Sequence, residues 1–318
     1  MKAAVLRKFG SPLVIEERPR PEPRGDEVLV RVKGAGVCHS DLHISDGRYP
    51  DVPLPLVLGH EISGEAEGLG EVLVYASWGC GSCPLCSQGD EQLCAKAAEP
   101  GWARDGGYAD YVLVPSKRYL LPLGGLDPIR SAPLADAGVT PYRAVRRAAE
   151  RLAKDYSTAV VLGVGGLGQF AIQYLKMLTR AHVIAADLNE SKLRRAKELG
   201  ADEATLPNKI TRQVNAVLDF VGSDESLALG TRILERTGIL IQIGEAGGKT
   251  SFGMMSVPHE SIFTTSIWGS MEDLSTVLDY ARAGKLDWQV EALPLEKANE
   301  AISRLRKGDV PGRLVLMP

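Results

Sequence analysis

TAVVLGVGGLGQFAIQYLKML, residues 158–178, runs from an apolar β-branched stretch through a glycine turn into a stretch of helical character. Gly163, Gly165 and Gly168 fall in the pattern G-x-G-x-x-G, with Gly166 and Leu167 between the second and third. Between a strand and a helix, the first glycine makes the tight turn, the second lets backbone approach a pyrophosphate, and the third lets helix pack on strand. The helix N-terminus then offers unpaired N–H groups and a partial positive charge to the phosphates. Asp187 stands 19 residues beyond Gly168, at the end of the next apolar run AHVIAAD. A carboxylate there accepts hydrogen bonds from an adenosine ribose and repels a 2′-phosphate. Together these features predict a site for NAD rather than NADP; a glycine turn that serves only packing is the competing reading.

Working outward, strands and helices alternate from about Thr140. NESKLRRAKELGA reads as a helix closed by Gly200, and AVLDFVG and GILIQIGE read as further buried strands. That rhythm predicts a doubly wound parallel sheet. The first 135 or so residues are different. EVLVRVKGAGV and YADYVLVP are short Val- and Tyr-rich runs, punctuated by PRPEPRGDE and YPDVPLPLVLGH, which predicts an irregular barrel of small strands. After about Gly269 come two amphipathic helices, in EDLSTVLDYARAGKL and EKANEAISRLRKG, and a last strand in GRLVLMP. The class is therefore α/β.

With 318 residues, 44% hydrophobic and 24% charged, the chain has the composition of an ordinary globular protein and the length for two domains or one large one. A formal charge of −3 gives no pull toward nucleic acid or anionic membrane, which leaves a small molecule as the expected partner. No apolar run approaches the roughly 20 residues that cross a bilayer. MKAAVLRKFG places Arg7 and Lys8 where a signal peptide would be apolar, so a cytoplasmic location and reduced thiols are expected.

Four of the five cysteines stand together: CGSCPLCSQGDEQLC sets Cys80, Cys83, Cys86 and Cys94 as C-x2-C-x2-C-x7-C. Four thiolates at this spacing satisfy a tetrahedral zinc and leave no position open for substrate, so the site reads as structural. An iron-sulfur cluster competes, but the bacterial ferredoxin run continues with x3-C-P, and here seven residues precede Cys94 and no proline follows it. Disulfides or free thiols compete as well. Cys38 is left over. It lies in GVCHSDLH, Gly36 to His43, and His39, His43 and His60 account for three of the five histidines. A thiolate and an imidazole are two of the three protein ligands that a catalytic zinc needs, and a lone cysteine that only packs is the plainer reading.

GVCHSDLH, the GHE of His60 and Glu61, the four-cysteine lobe, APLADAGVTPYRA and VVLGVGGLG follow one another in that order. The combination resembles the zinc-dependent medium-chain alcohol dehydrogenases, and the resemblance runs from Met1 to Pro318. It implies a GroES-like β-barrel catalytic domain at 1–137 and 270–318, carrying the zinc lobe at 78–96. A Rossmann NAD-binding domain is implied at 138–269. It implies two zinc ions per chain. Cys38, His60 and Asp136 would hold the catalytic one, Asp136 standing where the family usually has a second cysteine. Glu61 would be able to enter the ligand shell, and Asp41 would orient the imidazole. Zinc would lower the pKa of a bound alcohol so that an alkoxide forms, Ser40 and His43 would relay its proton to solvent, and hydride would pass to nicotinamide.

The same resemblance implies Lys192 beside Asp187 at the ribose, and His39 and Arg313 near the pyrophosphate. Thr140, Phe220, Gly244, Ile267, Trp268 and Gly269 fall at the nicotinamide, and Ala76, Trp78 and Trp268 in the substrate pocket. The activity implied is reversible oxidation of primary or secondary alcohols, in a homo-oligomer with a tetramer favoured over a dimer. A polyol or sugar dehydrogenase of the same superfamily is the near rival. Further rivals are a zinc-ribbon binding protein and a zinc- and NAD-binding protein with little activity. His182 and His259 carry no motif.

Two departures stand out. EAEGLGEVLVYASWGC reaches the cysteine lobe sooner than the family does, which cuts strands from the barrel and is expected to leave edges to be covered. A second shortening falls between ADEATLPNKITRQ and VNAVLDFVG, where a helix is usually longer.

Overall fold

A computed structural model describes residues 1–318. The stretch 158–178 forms the strand Thr158–Leu162, a turn, and the helix Gly168–Leu178. Its strand is central in a six-stranded sheet with His182–Ala186, Glu203–Thr205, Val214–Asp219, Leu234–Gln242 and Ile262–Thr265. All pairings are parallel, and numbered along the chain the strands lie in the order 3-2-1-4-5-6. That is the order of a Rossmann sheet. The central strands TAVVL and HVIAA are buried almost throughout, as expected where both faces of a parallel sheet are covered. Helix Gly168–Leu178 is buried on all sides from Gly168 to Leu175 and turns partly outward only at its C-terminal end. These elements belong to one compact unit, residues 140–268.

The shortening in this unit falls on a brief connection. Between Glu203–Thr205 and Val214–Asp219 the chain makes only the 3-10 turn Pro207–Lys209. Ile210, just after it, is 4% exposed and joins the core formed by Val160, Leu162, Ile184 and Val217. This short connection thus contributes one buried aliphatic side chain, Ile210, to the core of the sheet.

The other unit comprises residues 1–139 and 269–318. It holds a three-stranded sheet around Lys2–Leu6 and a seven-stranded sheet built on the long strand Val28–Val37. That strand pairs antiparallel with Glu61–Ala66, Tyr111–Val114 and Arg313–Met317. In the shortened region Glu61–Ala66 turns directly into Gly70–Val74 as a hairpin, with Glu65 opposite Glu71. The edge that the cut was expected to expose is covered, because Gly70–Val74 pairs on its other side with Leu120–Pro122. No helix is long and apolar enough to cross a membrane.

Candidate active site

Strand Val28–Val37 ends at Cys38, which is the N-cap of the short helix His39–Ser45. The register opposes Gly36 to Glu61, so Cys38 and His60 leave the sheet at the same end. Asp136 arrives from far along the chain, as the residue that closes the 3-10 turn Ala132–Ala135. The ligand atoms of Cys38, His60, Glu61 and Asp136 all lie within 4.8 Å of one another, and all four residues are buried. The Cys38 thiol donates to Asp136 Oδ2 at 3.3 Å, and His60 Nε2 lies 3.7 Å from that same oxygen.

Around these four is a polar shell. Asp41 Oδ2 accepts from the Cys38 N–H at 2.8 Å and from the Tyr108 hydroxyl at 2.8 Å, while its Oδ1 lies 3.8 Å from His60 Nδ1. Glu61 Oε1 accepts from the Arg313 guanidinium and, at 3.4 Å, from the Ala137 N–H. Its Oε2 is buried with no hydrogen-bond partner. Arg313, expected near the pyrophosphate, is 5% exposed and seated on Glu61. Its strand pairs with the one that leads to Cys38, and the register opposes Leu314 to Val37, which brings the guanidinium inward.

Crowding strains the protonation of the cluster. Burial and the nearby Asp136 carboxylate push the Cys38 thiol up. Burial alone would depress the His60 imidazole, but Asp136, Asp41 and Cys38 outweigh it and hold it well above its ordinary value. Burial raises Glu61 to about 7 against the pull of Arg313. A thiol, an imidazole and two carboxylates shut away from water form a donor set that a divalent cation would satisfy, and the spare oxygen of Glu61 is of the same kind. The residues fit zinc.

Ser40 and His43 stand three apart on helix His39–Ser45, a spacing that puts both on one side of a helix. Both are half-buried, the Ser40 hydroxyl lies 3.9 Å from Cys38 Sγ, and His39 is exposed. Ala76 and Trp78 are buried, with the Trp78 indole donating to the Tyr75 carbonyl at 2.7 Å.

The sulfurs of Cys80, Cys83, Cys86 and Cys94 form a second group within 4.8 Å, and all five cysteines of the chain are free of disulfides. Backbone N–H groups of Cys80 and Lys96 point at Cys94 Sγ, at 3.5 and 3.4 Å, and that of Cys86 at Cys83 Sγ, at 3.5 Å. Hydrogen bonds from Ser82 draw Cys80 down to about 6, and burial pushes Cys86 up to about 12. Glu91 anchors the lobe by accepting from the Gly79 N–H at 3.2 Å and from Arg118 at 3.2 Å.

In the other unit Gly163 has φ +87°, and a Cβ on Gly168 would meet the Gly163 carbonyl oxygen at 2.0 Å. A Cβ on Gly165 would meet nothing within 4 Å, so the middle of the turn is open. Asp187 accepts from the Val164 N–H at 2.8 Å and from the Asn189 N–H at 2.9 Å. Lys192 is half-buried on helix Glu190–Glu198, the next element after Asp187. The loops carrying Phe220 and Gly244 are tied together, the N–H groups of Ile243 and Gly244 both donating to the Asp219 carbonyl. Thr140 is buried, Ile267 is 46% exposed, and Trp268 is buried at φ +49°, a left-handed conformation rare for a bulky residue. His182 pairs with Glu203 at 2.9 Å. Sequence reasoning missed Tyr108; the available signal was the pair Gly106-Gly107 before an aromatic residue, a combination that also marks ordinary turns.

The sequence matches the profile of the alcohol dehydrogenase GroES-like domain over residues 24–124 and that of the zinc-binding dehydrogenases over 166–283. It is 37% identical over 350 residues to an NAD-dependent alcohol dehydrogenase of Sulfurisphaera tokodaii, covering 100% of each chain. It is 36% identical over 349 residues to the D-arabinose 1-dehydrogenase (NADP(+)) of Saccharolobus solfataricus, covering 100% of this chain and 97% of the other. The fold superposes on the alcohol dehydrogenase of the hyperthermophilic archaeon Aeropyrum pernix with a TM-score of 0.92 at 36% identity, over 100% of both chains.

Proposed function

The chain belongs to the zinc-dependent medium-chain alcohol dehydrogenase family, and from that membership we propose that it reversibly oxidises an alcohol to an aldehyde or ketone with NAD. The observation that carries the reading is the convergence of Cys38, His60, Glu61 and Asp136 from three separate parts of the chain. Cys38, His60 and Asp136 would hold a catalytic zinc with Glu61 in reserve, and the four-cysteine lobe a structural one. When bound, zinc supplies a Lewis acid that lowers the pKa of an alcohol hydroxyl, and NAD supplies the hydride acceptor.

The rest falls to the protein's own groups. Asp41 faces His60 Nδ1 and favours the tautomer that leaves Nε2 free to ligate. Arg313 holds Glu61 and offsets its charge in a buried site. Ser40 Oγ accepts the substrate proton as it gives up its own, and His43 takes the released proton on toward solvent, their shared helix face supporting the relay. On the nucleotide side, the open turn at Gly165 admits a pyrophosphate to the helix N-terminus. Asp187, pinned by two backbone N–H groups, presents its carboxylate at the ribose position and disfavours a 2′-phosphate, which supports NAD.

Oxidation of a sugar or polyol is the second reading, favoured by the full-length similarity to D-arabinose dehydrogenase. One experiment separates them. Elemental analysis should find two zinc ions per chain, one for each cluster. NAD and NADP reduction should then be compared across simple alcohols, polyols and aldoses. Turnover of simple alcohols with NAD supports the proposal, turnover of aldoses alone supports the second reading, and a single zinc with no turnover defeats both.

A further inference from the structure

We propose that Tyr108 is a positioning residue for the catalytic zinc site, acting through Asp41 on His60; the inference rests on the reading that Cys38, His60 and Asp136 hold zinc. Tyr108 is fully buried, and its hydroxyl donates to Asp41 Oδ2 at 2.8 Å. That oxygen also accepts from the Cys38 N–H at 2.8 Å. One carboxylate oxygen is therefore clamped between the phenol and the backbone of a ligand. The other, Oδ1, makes no hydrogen bond and lies 3.8 Å from His60 Nδ1. Turning the carboxylate would break both hydrogen bonds to Oδ2, so Oδ1 is held facing the imidazole. A carboxylate free to rotate would face the ring only part of the time.

The local backbone is arranged around this phenol. Residues 106–108 run beside 57–59, with the N–H groups of Gly106, Gly107 and Tyr108 donating to the carbonyls of Val57, Gly59 and Leu58 at 2.8, 2.8 and 3.0 Å. Gly59 has φ +94°, and a Cβ there would lie 2.4 Å from the Tyr108 ring. The ring lies against the backbone of the residue directly before His60, in space that only a glycine leaves. GGY and GHE are thus two sides of one contact, and the hydroxyl emerges from it at the Asp41 carboxylate.

Tyr108→Phe removes one oxygen and leaves the ring on Gly59, and competitive chelator titration of the holoenzyme reads zinc affinity at each cluster. Groups behind a metal ligand typically account for about 10–100-fold in affinity. We expect Tyr108→Phe to weaken the Cys38/His60/Asp136 site by about tenfold and to shift the visible absorption of its cobalt-substituted form. The four-cysteine site should keep its affinity and so report that the unit is folded. Because Tyr108 acts through Asp41, adding Tyr108→Phe to Asp41→Asn should cost nothing further. Unchanged affinity in Tyr108→Phe, equal losses at both clusters, or losses that multiply in the double variant would overturn the inference while leaving the zinc reading intact. A wild-type chain that holds only the four-cysteine ion would overturn both.

Discussion

Gly36→Ala is the sharpest test of how the zinc-site scaffold is packed. A Cβ at position 36 would lie 1.8 Å from Glu61 Oε2 and 2.8 Å from Glu61 Cβ and Cδ. Non-bonded heavy atoms settle near roughly 3.5 Å, so the carboxylate must retreat by more than an ångström. It has nowhere soft to go, because Glu61 is fully buried and its other oxygen is held by Arg313 and the Ala137 N–H. Overpacking of this kind costs about 1–3 kcal/mol. Loosening a buried hydrogen bond to a charged group adds about 1.5–3 kcal/mol. Burial already holds Glu61 at about 7, so the displaced carboxyl can escape part of the second cost by taking up a proton. We therefore expect a loss of roughly 3 kcal/mol, the lower half of the summed range. For a unit of this size that lowers the melting temperature by about 10 °C. Differential scanning calorimetry of the variant beside wild type gives the answer. A transition of the 1–139 and 269–318 unit within about 2 °C of wild type would mean that the Gly36–Glu61 contact does not constrain the site.

Gly165→Ala is the natural contrast: its methyl group meets nothing within 4 Å, so the melting profile should not change. NAD affinity should fall by at least about tenfold in a fluorescence titration, because the methyl occupies the approach to the pyrophosphate, and unaltered affinity would remove the turn from the cofactor site. Ile210→Ala should destabilise the 140–268 unit by about 3 kcal/mol in guanidinium unfolding, since the side chain is buried in the sheet's core; a loss under about 1 kcal/mol would show that neighbouring groups close the gap. Zinc uptake at the Cys38 site must displace the proton that burial and Asp136 hold on the thiol. Affinity there should accordingly rise with pH, by about tenfold per unit for each proton released. Calorimetric titration in two buffers of different ionisation enthalpy counts those protons, and a pH-independent affinity would contradict a protonated resting thiol.

The local rules of the chain settled a good deal. The G-x-G-x-x-G turn between an apolar strand and a helix, the carboxylate after the next strand, and four cysteines within fifteen residues are short-range patterns, and the structure shows each as a local element. Short-range geometry is legible because the residues that cooperate are neighbours in the chain. The shortening after GHEISG was equally visible as missing length. Whether it left an open edge was not, because the cover comes from Leu120–Pro122, some fifty residues away.

The ordered motifs pointed to Cys38, His60, Glu61 and Asp136 through the family resemblance, but only tertiary structure brings them together and adds Arg313 and Tyr108 around them. Spacing cannot say that Asp136 meets a thiol 98 positions earlier, that Arg313 turns inward to Glu61 across 252, or that a phenol from a glycine-rich loop reaches Asp41. Those meetings follow from strand register: Gly36 opposite Glu61 and Val37 opposite Leu314 bring distant segments to one end of one sheet. Register depends on hydrogen bonds and burial summed over whole strands, a global quantity that no single motif carries.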